Sequence, residues 1–237
     1  MTTPTYRRCE GIEFLVTLLD VSPSMLIDDL EPSRLQVGRA ANRSLITAKA
    51  RDHPNDLVAV IGFGGTARLV HGPAVVGDST QSLLRSLDGI ECIEWTNFHA
   101  ALTLAESVLR APETMAAKVQ RGASQLLSKL VGGNASTALR ACNRPSQDRS
   151  VRRIILLSDG EHTRGPSPVP TAERLKQMGV IIDCIGIADR ANVDEAMLKA
   201  IASRNPDGSP RYCFVRDRQS LIREYKALAG HIRVIEE

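Results

Sequence analysis

Phe14-Leu15-Val16-Thr17-Leu18-Leu19-Asp20-Val21-Ser22-Pro23-Ser24 is the stretch on which the reading of this chain turns. A short apolar run bounded by turn-forming residues predicts a buried strand, here over Ile12 to Asp20. Directly after it, Asp20, Ser22 and Ser24 place one carboxylate and two hydroxyls at alternate positions, and Pro23 fixes φ between the serines. Oxygen-only donors suit a hard cation such as Mg²⁺. A carboxylate at the end of an apolar strand is costly unless something satisfies it, and a metal would do so.

Outward from that stretch, short aliphatic runs alternate with helical patterns, which predicts parallel strands joined by crossover helices. The further strand candidates are Leu57 to Phe63, Ala67 to His71, Val151 to Ser158, Val180 to Ile187 and Tyr212 to Val215. Ala67 to His71 follows the turn Gly64-Gly65-Thr66 too closely for a crossover, so it should run antiparallel to its predecessor. Phe98, Ala101, Leu102, Ala105, Val108 and Leu109 mark the clearest amphipathic helix. Others are expected after Pro32-Ser33, from Asp194 to Ser203, and after Asp217 as N-cap.

The run Ala111 to Ser150 breaks this rhythm. A helix and the next strand of a βα unit are usually joined by about 2–6 residues, so this stretch reads as an insertion. Val119, Leu126, Leu127, Leu130 and Val131 suggest a helical face, and six cations against two acids make the segment basic. The whole chain, 1–237, is read as a single domain carrying that 111–150 insertion.

The bulk numbers exclude several classes. A formal net charge of +3 with mixed signs does not argue for nucleic acid. No stretch reaches the roughly 18 apolar residues of a membrane span, and the N-terminus lacks the apolar core of a secretory signal. Five scattered cysteines without a C-x-x-C pair fit neither zinc ligation nor a disulfide framework. Reduced thiols, and hence a cytoplasmic location, are the expectation.

A second carboxylate repeats the context of Asp20: Ile154-Ile155-Leu156-Leu157-Ser158-Asp159-Gly160 is an aliphatic strand ending in an acid. In open parallel sheets ligands bind beyond the carboxyl ends of the strands, so two such strands would aim both acids at one crevice if they were neighbours. The third piece is Trp95-Thr96-Asn97-Phe98, where Thr96 or Asn97 precedes the clearest helix. Taken singly, Thr96 reads as a helix cap and Asp20 as a turn-former.

Together, Asp20-x-Ser22-x-Ser24, a threonine before a helix and Leu-Leu-Ser-Asp159-Gly resemble the von Willebrand factor A (VWA) domain with its metal ion-dependent adhesion site (MIDAS). The resemblance runs from about Ile12 to Ile232, with 111–150 outside the usual pattern. It implies a Rossmann-like, doubly wound α/β fold: a six-stranded, mostly parallel sheet with one short antiparallel strand, helices on both faces, and the two Asp-bearing strands side by side. It also implies roles. Ser22 and Ser24 would coordinate Mg²⁺ (or Mn²⁺ or Ca²⁺) directly, Thr96 directly or through water, and Asp20 and Asp159 through water or by orienting the ligands. The expected function is that of a bacterial-type, cation-dependent interaction domain whose partner protein supplies an Asp or Glu to the metal. One departure is visible: small residues commonly precede the family's threonine, where this chain has Glu94 and Trp95.

The alternative is a metal-dependent hydrolase or phosphatase-like enzyme. Haloacid-dehalogenase-type chemistry wants a second Asp where Ser22 stands, and a hydrolytic base would have to be His162, which reads as a surface-loop residue. The Gly62 to Thr66 stretch lacks the lysine of a phosphate-binding loop, and the first turn lacks Gly-x-Gly-x-x-Gly. No complete catalytic constellation emerges.

Overall fold

Phe14, Val16 and Leu18 point to one side of the first strand, and Leu15, Thr17 and Leu19 to the other; all six are buried. A strand covered on both faces belongs inside a layered α/β sheet. The computed structural model describes residues 12–110, 151–187 and 193–230. Among these, six strands form one sheet in the order β3-β2-β1-β4-β5-β6. They are β1 (Glu13–Asp20), β2 (Leu57–Phe63), β3 (Ala67–Val75), β4 (Val151–Ser158), β5 (Val180–Ile187) and β6 (Tyr212–Val215). Every pairing is parallel except β2 with β3.

Helices α1 (Arg34–Asp52), α2 (Val76–Asp88) and α6 (Arg218–Leu228) cover one face. Their Leu45, Ile46, Leu83, Leu87, Leu221 and Tyr225 pack with Leu15, Leu19, Val58, Val60, Ile155 and Ile185. Helices α3 (98–110), α4 (Val169–Gln177) and α5 (Glu195–Ile201) cover the other, over Phe14, Val16, Leu18, Ile61, Ile154 and Cys184. The doubly wound architecture with helices on both faces is therefore present, and β1 lies between β2 and β4, beside the strand that ends at Asp159.

Two sequence expectations change in detail. The antiparallel strand is not short: β3 runs nine residues, to Val75. It passes through Gly72-Pro73 because it is an edge strand, where a proline's missing N–H interrupts no ladder, and two register irregularities against β2 absorb the distortion. Helices α2 and α4 were not anticipated, although Val76, Leu83 and Leu87 on one and Val169-Pro170 at the start of the other are helix signals. The 111–150 insertion lies outside the described residues. No described helix is long and apolar enough to cross a membrane.

Candidate metal centre

Register alone brings the first two pieces of the site together. Because Leu19 pairs with Leu157, Asp20 and Ser158 are neighbours across the β1–β4 ladder at the carboxyl edge of the sheet. This is the point where the strand order reverses, the usual place for a ligand crevice in an open α/β sheet. Ser158 Oγ donates to Asp20 Oδ2 at 2.5 Å, and the Ser22 N–H donates to Asp20 Oδ1 at 2.9 Å. Asp20 is fully buried, with both oxygens occupied by protein donors.

The two serines sit just above it. A 3₁₀ turn over Pro23–Leu26, opened by the proline, folds the chain back so that Ser22 Oγ and Ser24 Oγ lie 3.1 Å apart. Ser24 Oγ donates to Asp159 Oδ1 at 2.8 Å. The other Asp159 oxygen accepts from Arg34 Nη1 at 2.8 Å. Both carboxylates are thus held back by hydrogen bonds, while the serine hydroxyls stand in front of them.

Thr96 approaches from a third loop. A Cβ placed on Gly160 would meet Ser24 Oγ at 3.8 Å and Thr96 Oγ1 at 3.9 Å, so both hydroxyls face the space above that glycine. The capping role open to Thr96 falls instead to Asn97, whose Oδ1 accepts from the Ala100 N–H at 3.0 Å. Thr96 is pinned by its backbone: its N–H donates to Thr163 Oγ1 at 2.9 Å and its carbonyl accepts from the Thr163 and Arg164 amides. The tip of the β2–β3 hairpin grips the same loop, with Gly65 N–H donating to the Glu94 carbonyl and Asn97 N–H to the Gly64 carbonyl. Of the glycine-rich Gly62 to Thr66 segment, Gly62 and Phe63 end β2 and Gly64-Gly65-Thr66 is the hairpin turn, which serves as a clamp.

Trp95 takes φ +66°, a left-handed backbone that bulky residues rarely adopt. This is the physical reason why a small residue is the easier occupant before the threonine. The indole is half exposed beside Arg164, whose guanidinium lies 5.9 Å from the ring centre.

The electrostatics are those of a site with excess negative charge. Burial pushes the Asp20 carboxyl up to about 7, reinforced by the nearby Asp159 charge and opposed by the Ser158 and Ser22 hydrogen bonds. Burial also raises Asp159, against the pull of Arg34 and Ser24. Arg34 was missed by sequence reading. It lies buried in the first turn of α1, forked between Asp159 and Asp29, with Nε and Nη2 donating to Asp29 at 2.8 and 2.7 Å. An arginine five residues after Asp29 carries no local signal of a site; only the fold brings it under Asp159.

The donor set fits a small hard cation. An octahedral ion with oxygens at about 2.1 Å has neighbouring ligands about 3 Å apart, which the Ser22–Ser24 hydroxyl separation matches. Among the described residues no group of three or more His, Cys, Asp or Glu side chains is arranged to hold a metal, so the candidate donors here include the hydroxyls. His162 is occupied otherwise. Its Nδ1 accepts from the Phe98 N–H at 3.2 Å, its Nε2 lies 3.1 Å from the Pro166 carbonyl, and its ring stacks on Phe98. That use as a helix-end acceptor leaves no free ring nitrogen to activate a water.

Comparison with known proteins agrees with this architecture. No curated protein sequence matches the chain. Among solved structures, the conserved hypothetical protein BatB from Bacteroides thetaiotaomicron superposes with a TM-score of 0.59 at 20% identity, covering 92% of this chain and 99% of that one. A von Willebrand factor type A protein from Catenulispora acidiphila gives 0.66 at 16% identity, over 92% of this chain and 42% of that one. Proximal thread matrix protein 1 from the mussel byssus, solved with a zinc-occupied MIDAS motif, gives 0.63 at 16% identity, over 94% and 48%. At such identities these likenesses concern the fold. Two family models described as von Willebrand factor type A domain match the sequence, over residues 15–118 and 109–225, and between them they span the sheet from β1 to the last helix. The chain belongs to the von Willebrand factor type A domain family, whose members commonly mediate protein–protein interactions.

Proposed function

We propose that this VWA domain recognises a partner protein through a divalent cation, Mg²⁺ in the first instance, held at Asp20, Ser22, Ser24, Thr96 and Asp159. The observation that carries the reading is the pair of serine hydroxyls 3.1 Å apart, in front of two carboxylates whose oxygens are already taken by protein donors. Ser22 and Ser24 would supply neutral oxygens to the ion, with Thr96 facing the same space. Asp20 and Asp159 would orient those hydroxyls and balance charge from behind, as outer groups do in metal sites. An ion bound mainly by neutral ligands stays electrophilic and tends to keep waters that an incoming ligand can displace. An Asp or Glu from the partner fits that position by charge. The compartment we propose is the cytoplasm.

A hydrolytic reading would need a base beside the ion, and His162, three residues after Asp159, is committed to the start of α3. The recognition reading is tested by affinity capture with the wild-type chain and with Ser22→Ala/Ser24→Ala. A protein that binds in Mg²⁺, is released by chelator and is lost from the double variant is the expected result. A partner set unaffected by chelator and by the substitution would contradict the reading.

A further inference from the structure

We infer that Arg34 is a positioning residue and internal counter-ion of the cation site, and that it lowers the site's affinity for a divalent ion. The inference rests on the cation reading above and concerns how that same site is regulated.

Arg34 is 4% exposed and Asp159 is 1% exposed, so the 2.8 Å contact between them is a buried ion pair rather than a surface one. The guanidinium is also anchored at its far side by two hydrogen bonds to Asp29, which itself is exposed on the loop after the 3₁₀ turn. The planar fork therefore cannot swing away, and it presents Nη1 to Asp159 Oδ2 in one geometry. With Ser24 on the other oxygen, each Asp159 oxygen already accepts one hydrogen bond from the protein.

Two consequences follow from charge alone. In the metal-free protein the guanidinium offsets the buried charge of Asp159. A divalent ion arriving in front of Ser22 and Ser24 then meets a fixed cation behind Asp159, and it binds more weakly than it would with that cation removed. Asp159 stays an outer group, and the ion keeps its demand for a further anionic ligand. Removing Arg34 would leave Asp159 buried and uncompensated until a metal arrives, so the metal-free state is destabilised while metal binding is strengthened. A residue that merely held the loop together would weaken both.

The test is a Mn²⁺ titration, followed by calorimetry and by electron paramagnetic resonance, on wild type, Arg34→Met and Arg34→Lys. Asp20→Ala serves as the control for the site itself. Arg34→Met is expected to melt lower without metal yet bind Mn²⁺ about tenfold more tightly, at the lower edge of what outer-shell changes produce. Arg34→Lys, which keeps the charge but not the fork, should fall between wild type and Arg34→Met. Should Arg34→Met fail to fold alone, recovery of the folded far-ultraviolet spectrum on adding Mn²⁺ supports the inference, and failure to recover overturns it. Equal or weaker Mn²⁺ binding by a folded Arg34→Met also overturns it, with the cation reading intact. If wild type and Asp20→Ala show the same Mn²⁺ response, the cation reading itself fails and this inference falls with it.

Discussion

Asp20 concentrates the chemistry of the molecule in one side chain. It is buried at a strand end, and its two oxygens are bonded to the Ser22 amide and the Ser158 hydroxyl. Burial, together with the Asp159 charge, raises its folded carboxyl to about 7, above the ordinary value it would have in the unfolded chain. The sign follows directly. Between about pH 4 and pH 7 the folded state holds a proton that the unfolded state has released, so this group's stabilisation is present at low pH and is lost as pH rises. In the absence of metal, the stability difference between wild type and Asp20→Asn should therefore shift in favour of the variant, by at most about 1.4 kcal/mol per pH unit. Urea denaturation at pH 4.5 to 8 measures it, and a pH-independent difference would refute the assignment. The residues alone placed Asp20 and Asp159 at strand ends and Thr96 before a helix. Grouping them with Ser22 and Ser24 came from the resemblance to the VWA family, since spacing says nothing of which strands are neighbours. Arg34 was not legible in the sequence, since its partner is a residue more than a hundred positions away.

At the scale of elements, three loops must meet for the hydroxyls to share one space, and the β2–β3 hairpin is what holds the third. A Cβ on Gly64 would lie 2.2 Å from the Ile93 carbonyl oxygen, a backbone atom that cannot step aside without moving the 93–97 loop. Gly64→Ala should then destabilise the fold by roughly 2 kcal/mol, the usual range for overpacking, and weaken Mn²⁺ binding by displacing Thr96. Chemical denaturation and a Mn²⁺ titration on the variant check both halves; a variant with native stability would contradict the clamp. The strands were the most legible elements: four of the six keep the bounds read from the sequence, since their aliphatic runs have sharp ends. Edge strand β3 was truncated in the reading because Gly72-Pro73 looks like a stop. Only its edge position, a tertiary fact, permits the strand to continue.

Seen as a whole, the molecule places its charged groups at both ends of an aliphatic sheet. Opposite the candidate metal centre, Glu13, Lys49, Asp56, Arg153 and Asp183 form a buried network tying β1, α1, β4 and β5 together. Arg153 extends it to the end of α6 by donating to the Leu228 carbonyl at 2.7 Å. At the start of β4, Arg153 gave no sequence cue to this role, because its partners come from distant segments. Arg153→Ala should cost about 1–3 kcal/mol by removing one of two counter-charges from each buried acid, Asp183 keeping Arg211 and Glu13 keeping Lys49, read as a lower urea midpoint with Mn²⁺ affinity unchanged. A surface-like cost below about 0.5 kcal/mol would deny the network its role. The central claim, that this fold presents a divalent cation on serine hydroxyls, is tested most directly by Mn²⁺ titration of wild type and Ser22→Ala/Ser24→Ala while following thermal unfolding. At a hundredfold excess over the dissociation constant, wild type should gain about 2.7 kcal/mol, or roughly 5–10 °C, and the double variant should gain nothing. Identical melting curves for wild type with and without Mn²⁺, or an equal gain in both proteins, would contradict the account.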